Sequence, residues 1–198
     1  MHGPAKTWGF IFLAAALACP VLFQPASAFA EPSPEPVFDL INERLSLMKS
    51  VALYKAQNGL AVEDKPRETV VIDQAKASAM AAGLDPDSVA AFYQLQIQAA
   101  KAIQFRYLAE WTFDPEAANQ PAEPLDSHIR PALIQLGDQL VVAMKRFLEA
   151  KGCFRTDQLP LFLEAITVEH LTEEEKTKLF ESMSMIDLTH SLAHCAAA

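Results

Sequence analysis

The sequence predicts an all-α fold of about six helices in two halves, and three observations carry that expectation. Apolar residues recur at the three-and-four spacing of one helix face through most of the chain. Glycines and short polar residues fall where those stretches stop and restart, as helix ends require. No alternating strand pattern of any length is present.

The stretch from Phe38 to Arg67 organises the rest. Phe38, Ile41, Leu45, Met48, Val51 and Ala52 form one apolar stripe, which predicts a first helix over about 37–58, ended by Asn58-Gly59. Asp64 is placed to cap a second helix over about 65–82, with Pro66 tolerated in its first turn and Gly83 as its stop. Asp85-Pro86-Asp87 restarts the chain as the longest helix, whose stripe is Val89, Phe92, Ile97, Ala100, Ile103, Tyr107 and Trp111. Residues 114–126 contain Pro115, Pro121 and Pro124 and read as a linker between core helices (37–113) and C-terminal helices (126–198). A fourth helix is expected over about 127–151, with Leu133, Leu136, Leu140, Met144, Phe147 and Leu148 on its apolar side. A shorter one follows over 157–171. Thr172-Glu173-Glu174-Glu175 is a capping box that opens a last helix running to about Cys195.

Residues 1–30 read as a signal peptide: a short cationic start, an apolar run from Phe10 to Phe23, and overlapping small-x-small cleavage sites ending at Ala28 and Ala30. A membrane anchor is the alternative, but the run is broken by Pro20 and is shorter than the roughly 20 residues a spanning helix needs. The mature chain, 31–198, is then expected to be periplasmic or secreted, with no membrane attachment. Cleavage removes only Lys6 among charged residues, so the formal net charge of -9 becomes -10. Nucleic acid is a poor partner for so acidic a chain, which has no dense basic patch. Cleavage also removes Cys19 and leaves Cys153 and Cys195, which an oxidising compartment favours as a disulfide over two buried thiols.

Arg44 and Lys55 lie eleven residues apart, about three helical turns, and both fall on the stripe that carries Met48 and Val51. Inward cations need carboxylate partners or an anionic ligand. Either one alone is also compatible with a long stem that carries its charge out at the core edge; two, followed by Asp64 and Arg67, favour an anion site. Gln104 shares the packed side of the longest helix and must be hydrogen-bonded there, to a core neighbour or to a ligand. Arg130 stands in the first turn of the fourth helix, where a cation opposes the helix dipole. His190 and His194 lack the H-E-x-x-H form, and no metal site is expected. No phosphate loop or nucleophile elbow is present, which leaves Arg44, Lys55, Asp64, Arg67, Glu68, Gln104 and Arg130 as the candidate constellation.

Those residues carry a resemblance. Arg44-Leu45, Tyr54-Lys55, Asp64-x-x-Arg67-Glu68 and Gln96-Ile97 through Gln104 resemble the helical AroQ class of chorismate mutases, and the signal peptide with added C-terminal helices resembles its secreted gamma subclass. The spacings of eleven, nine and three among Arg44, Lys55, Asp64 and Arg67 are specific. The resemblance implies a cofactor-free enzyme that rearranges chorismate to prephenate in a single-chain active site. Arg44 and Arg130 would clamp the two carboxylates, while Lys55 and Gln104 would bond the ether oxygen as the catalytic pair. Glu68 would take the hydroxyl with help from the Asp64 backbone, and Arg67 would line the site. Family members often carry Ser or Thr at the position of Ala100, so that hydroxyl contact is missing here. Family analogy suggests a homodimer. The rival readings are an isochorismate pyruvate lyase of the same fold and a catalytically silent periplasmic binding protein.

The Cys153–Cys195 bridge would stabilise the fold by about 3–4 kcal/mol in the chain-entropy model. Mass analysis of unreduced mature protein is expected to find no free thiol; two free thiols would contradict the pairing.

Overall fold

The computed structural model describes residues 1–3 and 32–189. Residues 4–31, which hold most of the expected signal peptide, and His190, His194 and Cys195 therefore lie outside the described residues. The chain divides into Met1–Glu31 and Pro32–Ala198, and the second unit carries all that follows.

Seven α-helices are described: α1 (Glu35–Ser46), α2 (Met48–Gln57), α3 (Lys65–Ala82), α4 (Pro86–Phe113), α5 (Arg130–Lys151), α6 (Leu159–Ala165) and α7 (Glu173–Ser184). The expected first helix is thus two, interrupted at Leu47. Backbone bonding runs on through the interruption, from Leu47 N to Glu43 O and from Val51 N to Leu47 O. The Ser46 hydroxyl donates to the Asn42 carbonyl at 2.8 Å, a local competitor for helix bonding that bends helices. With α1 and α2 taken as one interrupted rod, six rods remain, and among the described residues there is no strand beyond an isolated bridge between Leu84 and Leu188.

The caps fall where the sequence puts them. The Asp64 side chain accepts from Arg67 N at 3.1 Å and that of Asp85 from Ser88 N at 2.8 Å, each satisfying a free donor in a first turn. Gly83 closes α3 at φ 79°, a conformation that costs glycine little. Thr172 and Glu175 form the reciprocal box that opens α7.

Three boundaries differ from expectation. Before α5, a single wide turn, Leu125–Ile129, leads into a helix that starts at Arg130. The shorter helix ends at Ala165 instead of near Leu171. The Asn42 carbonyl oxygen of the side chain accepts from Thr167 N and Val168 N, and Arg106 donates to His170 O, so tertiary partners satisfy this backbone in place of a helix. The last helix ends at Ser184, well short of Cys195. Beyond it Asp187 O accepts from Asp85 N at 2.8 Å and Thr189 N donates to Gly83 O at 3.0 Å, so the chain is drawn out along the α3–α4 turn.

The two halves share one core. Phe38 of α1 meets Phe162 of α6 edge-on at 5.1 Å, and Phe154 stacks on Phe147 of α5 at 4.5 Å. Phe180 of α7 completes the group at 5.5 Å from Phe162. Losing one such ring costs about 3–5 kcal/mol, so α5 is held firmly against α1. Arg106 adds a two-pronged ion pair from α4 to Glu175 at 2.8 Å.

That ion pair predicts an acid sensitivity. Hydrogen bonding to Arg106 lowers the Glu175 carboxyl from its ordinary 4.5 to about 2. A depressed folded value means the contribution is complete above the unfolded value and disappears as pH falls through the folded one. Glu175→Gln is expected to flatten the loss of stability between about pH 5 and 2 in urea titrations. Identical slopes in both proteins would show that the pair contributes nothing.

Candidate active site

A cavity of about 170 Å³ opens between α1, α2, α3, α4 and α5. All seven candidate residues line it: Arg44, Lys55, Asp64, Arg67, Glu68, Gln104 and Arg130.

Arg44 sits in the last turn of α1, where helix periodicity turns it with Leu45 toward α4 and α5. Its Nε donates to Gln96 Oε1 at 3.1 Å, its Nη1 donates to Leu133 O at 2.5 Å, and its guanidinium lies 5.2 Å from the Tyr93 ring centre. Burial pushes the guanidinium below its ordinary value, with Tyr93 and Asp138 pulling the other way; arginine remains charged regardless.

Lys55 is only 8% exposed. Its ammonium donates to Val62 O at 2.7 Å, a carbonyl presented by the turn between α2 and α3. Burial lowers its pKa most, Asp64 and Glu68 oppose that, and Arg130 adds to it. A single carbonyl leaves two of the three ammonium protons for another acceptor.

Gln104 is 4% exposed on α4. Its Nε2 donates to Ala100 O at 3.0 Å and to the Met48 sulfur at 3.7 Å, and its buried Oε1 has no partner. The thioether is a weak acceptor, so the second N–H is open to a better one. Ala100 therefore contributes its carbonyl to the site even though it has no hydroxyl.

The acidic members are tied to cations. Asp64 lies 3.8 Å from Arg130, which also pairs with Asp126 one turn earlier. Glu68 pairs with Lys101 at 3.2 Å. Arg67 differs: its backbone is used in the α3 cap, and among the described residues its guanidinium has no hydrogen-bond or ion-pair partner.

The sequence reading did not include Lys101, Gln96 and Tyr93 in the constellation. Positions 93, 96, 97, 100, 101 and 104 all line the cavity and share one face of α4. Two amides eight residues apart on that face, at 96 and 104, were the available signal.

Residues 36–105 match the family model described as chorismate mutase type II. A monofunctional chorismate mutase from Enterobacter agglomerans is 39% identical over 76% of this chain and 81% of its own length. The chain belongs to the chorismate mutase family. The secreted chorismate mutase of Yersinia pestis is 37% identical over 75% of this chain and 79% of its own. The crystal structure of the Yersinia pestis secreted enzyme superposes with a TM-score of 0.71, covering 77% of this chain and 97% of that one. A chorismate mutase structure from Burkholderia thailandensis, at 27% identity, superposes with a TM-score of 0.60. These likenesses extend over about three quarters of the chain, more of it than the residues that the family model matches.

Proposed function

We propose that this family member is an exported enzyme that rearranges chorismate to prephenate inside a single chain, using the cavity's positive charge and fixed donors. One observation carries the reading. Arg44, Lys55, Arg67, Lys101 and Arg130 line the cavity against Asp64, Glu68 and Asp138, leaving two positive charges over in a chain of net charge -9. That local reversal suits a compact dicarboxylate.

The chemistry follows from the same inventory. The ether bond of chorismate breaks while a carbon–carbon bond forms within one molecule, so the reaction needs no external nucleophile. Holding the substrate folded brings the reacting carbons together and removes the entropic part of the barrier. Negative charge grows on the ether oxygen as its bond lengthens, and donors placed there act most strongly at the transition state. Lys55, with free protons, and Gln104, with an N–H on a weak acceptor, are suited to that oxygen. Arg44 and Arg130 would hold the carboxylates. Arg67, whose guanidinium has no partner among the described residues, would line the site as a third arginine. Glu68 would accept the substrate hydroxyl on a carboxylate that Lys101 already holds at 3.2 Å.

Export is supported by the secreted relatives and by the signal-like first thirty residues. Among the described residues no helix is long and apolar enough to cross a membrane. Purified mature protein is expected to consume chorismate and release prephenate. Pyruvate as product would indicate a lyase, and no turnover a binding protein. Arg130→Ala should lower kcat/KM by at least about tenfold, equivalent to about 1.4 kcal/mol, and wild-type kinetics would return Arg130 to the surface.

A pH profile tests Gln104. Its amide needs no charge change to donate, whereas a glutamate there donates only when protonated. Burial would raise the pKa of an acid at this position, and Lys55 on the same cavity would draw it down. Gln104→Glu is therefore expected to be most active in acid and to fade as pH rises, while the wild type does not fade in step. Parallel profiles over about pH 4.5 to 8.5, bracketing the glutamate value from above, would remove Gln104 from the ether oxygen.

A further inference from the structure

The Arg44 guanidinium is gripped from two helices, and the tightest point of that grip is a residue without a side chain. Gln96 of α4 accepts from Nε, and Leu133 of α5 accepts from Nη1. One turn along α5 from Leu133 is Gly137, which is buried. A Cβ at that position would lie 3.1 Å from Arg44 Nη1 and 3.4 Å from the Tyr93 hydroxyl. Tyr93 is itself tied to α5, its hydroxyl donating to Gly137 O at 3.0 Å. Gly137 has no unusual backbone conformation to explain its presence, since its φ is outside the left-handed set, and glycine inside a helix is unfavourable by about 0.5–1 kcal/mol against alanine. What it provides is room.

We propose that Gly137 is a positioning residue for the reaction: its bare backbone admits the Arg44 guanidinium against α5, so that the helix fixes the angle at which Arg44 meets a substrate carboxylate. The 3.1 Å approach is a few tenths of an ångström too close for a methyl group. A long arginine would ordinarily swing aside, but this one is held at Nε, at Nη1 and over the Tyr93 ring. Moving it lengthens the bond to Leu133 or to Gln96 and rotates the remaining N–H groups offered to the ligand. Displacements of this size in a clamp are expensive for a rearrangement that depends on substrate conformation.

The inference rests on Arg44 holding a substrate carboxylate, and the experiment separates the two claims. Gly137→Ala in the mature protein is expected to lower kcat/KM for chorismate at least about tenfold, mostly through a higher KM. Thermal stability should hold or rise, because alanine outranks glycine within a helix. A residue that merely spaced the helices would lose stability together with activity. Overturning results are kcat/KM within about twofold of wild type, or a loss of activity matched by a fall in melting temperature. Arg44→Ala, measured alongside, identifies which claim has failed. If it is fully active, Arg44 is no clamp and the inference falls with that reading. If it is impaired while Gly137→Ala is not, the clamp stands and only the role of Gly137 falls.

Discussion

Keeping positive charge away from water without cancelling it is the constraint on which this structure depends. A buried cation needs partners. A carboxylate partner would satisfy the charge and also neutralise the pocket. The two most enclosed cations are instead met by neutral acceptors: Lys55 by the Val62 carbonyl, and Arg44 by the Leu133 carbonyl and the Gln96 amide oxygen. Carbonyl dipoles offset part of the desolvation cost and leave the formal charge intact for an incoming anion. Arg130 and Lys101 follow the other course, facing Asp64 and Glu68.

This constraint accounts for the architecture around the cavity. Val62 stands on the turn that Asn58-Gly59 opens and Asp64 closes, so helix ends α2 and α3 must meet above Lys55. Leu133, Arg130 and Gly137 all come from the first eight residues of α5, which lies outside the segment matched by the family model. The second half of the chain thus supplies both a cation and the carbonyl that restrains another cation. Its registration on α1 is set some distance away, by Phe38, Phe147, Phe154 and Phe162. The segment after α6 is tied to the same helix through Asn42, one turn from Phe38. Packing that looks purely structural therefore controls where Arg44 rests.

What could be read from the sequence divides along the same line. Caps at Asp64, Gly83, Asp85 and Thr172 are local chemistry, and their helices begin or end where those residues stand. The end of α7 at Ser184 was not legible, because main-chain bonds to Gly83 and Asp85, distant in sequence, compete with continued helix. That the seven candidate residues would gather on one cavity was legible because charges and an amide on apolar stripes are conspicuous. Lys101 was not, since one lysine on a long helix reads as surface until Glu68 is placed beside it. The carbonyls of Val62 and Leu133 have no residue identity at all. Half of what holds the cations was therefore invisible to any reading of side chains.

The amides at 96 and 104 make the same point from the opposite direction. Burying an amide is costly when any of its atoms is left without a partner, and here Gln96 Nε2 and Gln104 Oε1 both are. An apolar side chain at either position would avoid that cost but would abandon Arg44 Nε in one case and the cavity donor in the other. A glutamate at 96 would bind Arg44 more strongly and cancel its charge. Glutamine at 96 is the choice that restrains Arg44 while leaving it available, and the unmet hydrogen-bonding capacity that remains is the consequence of keeping the cavity positive.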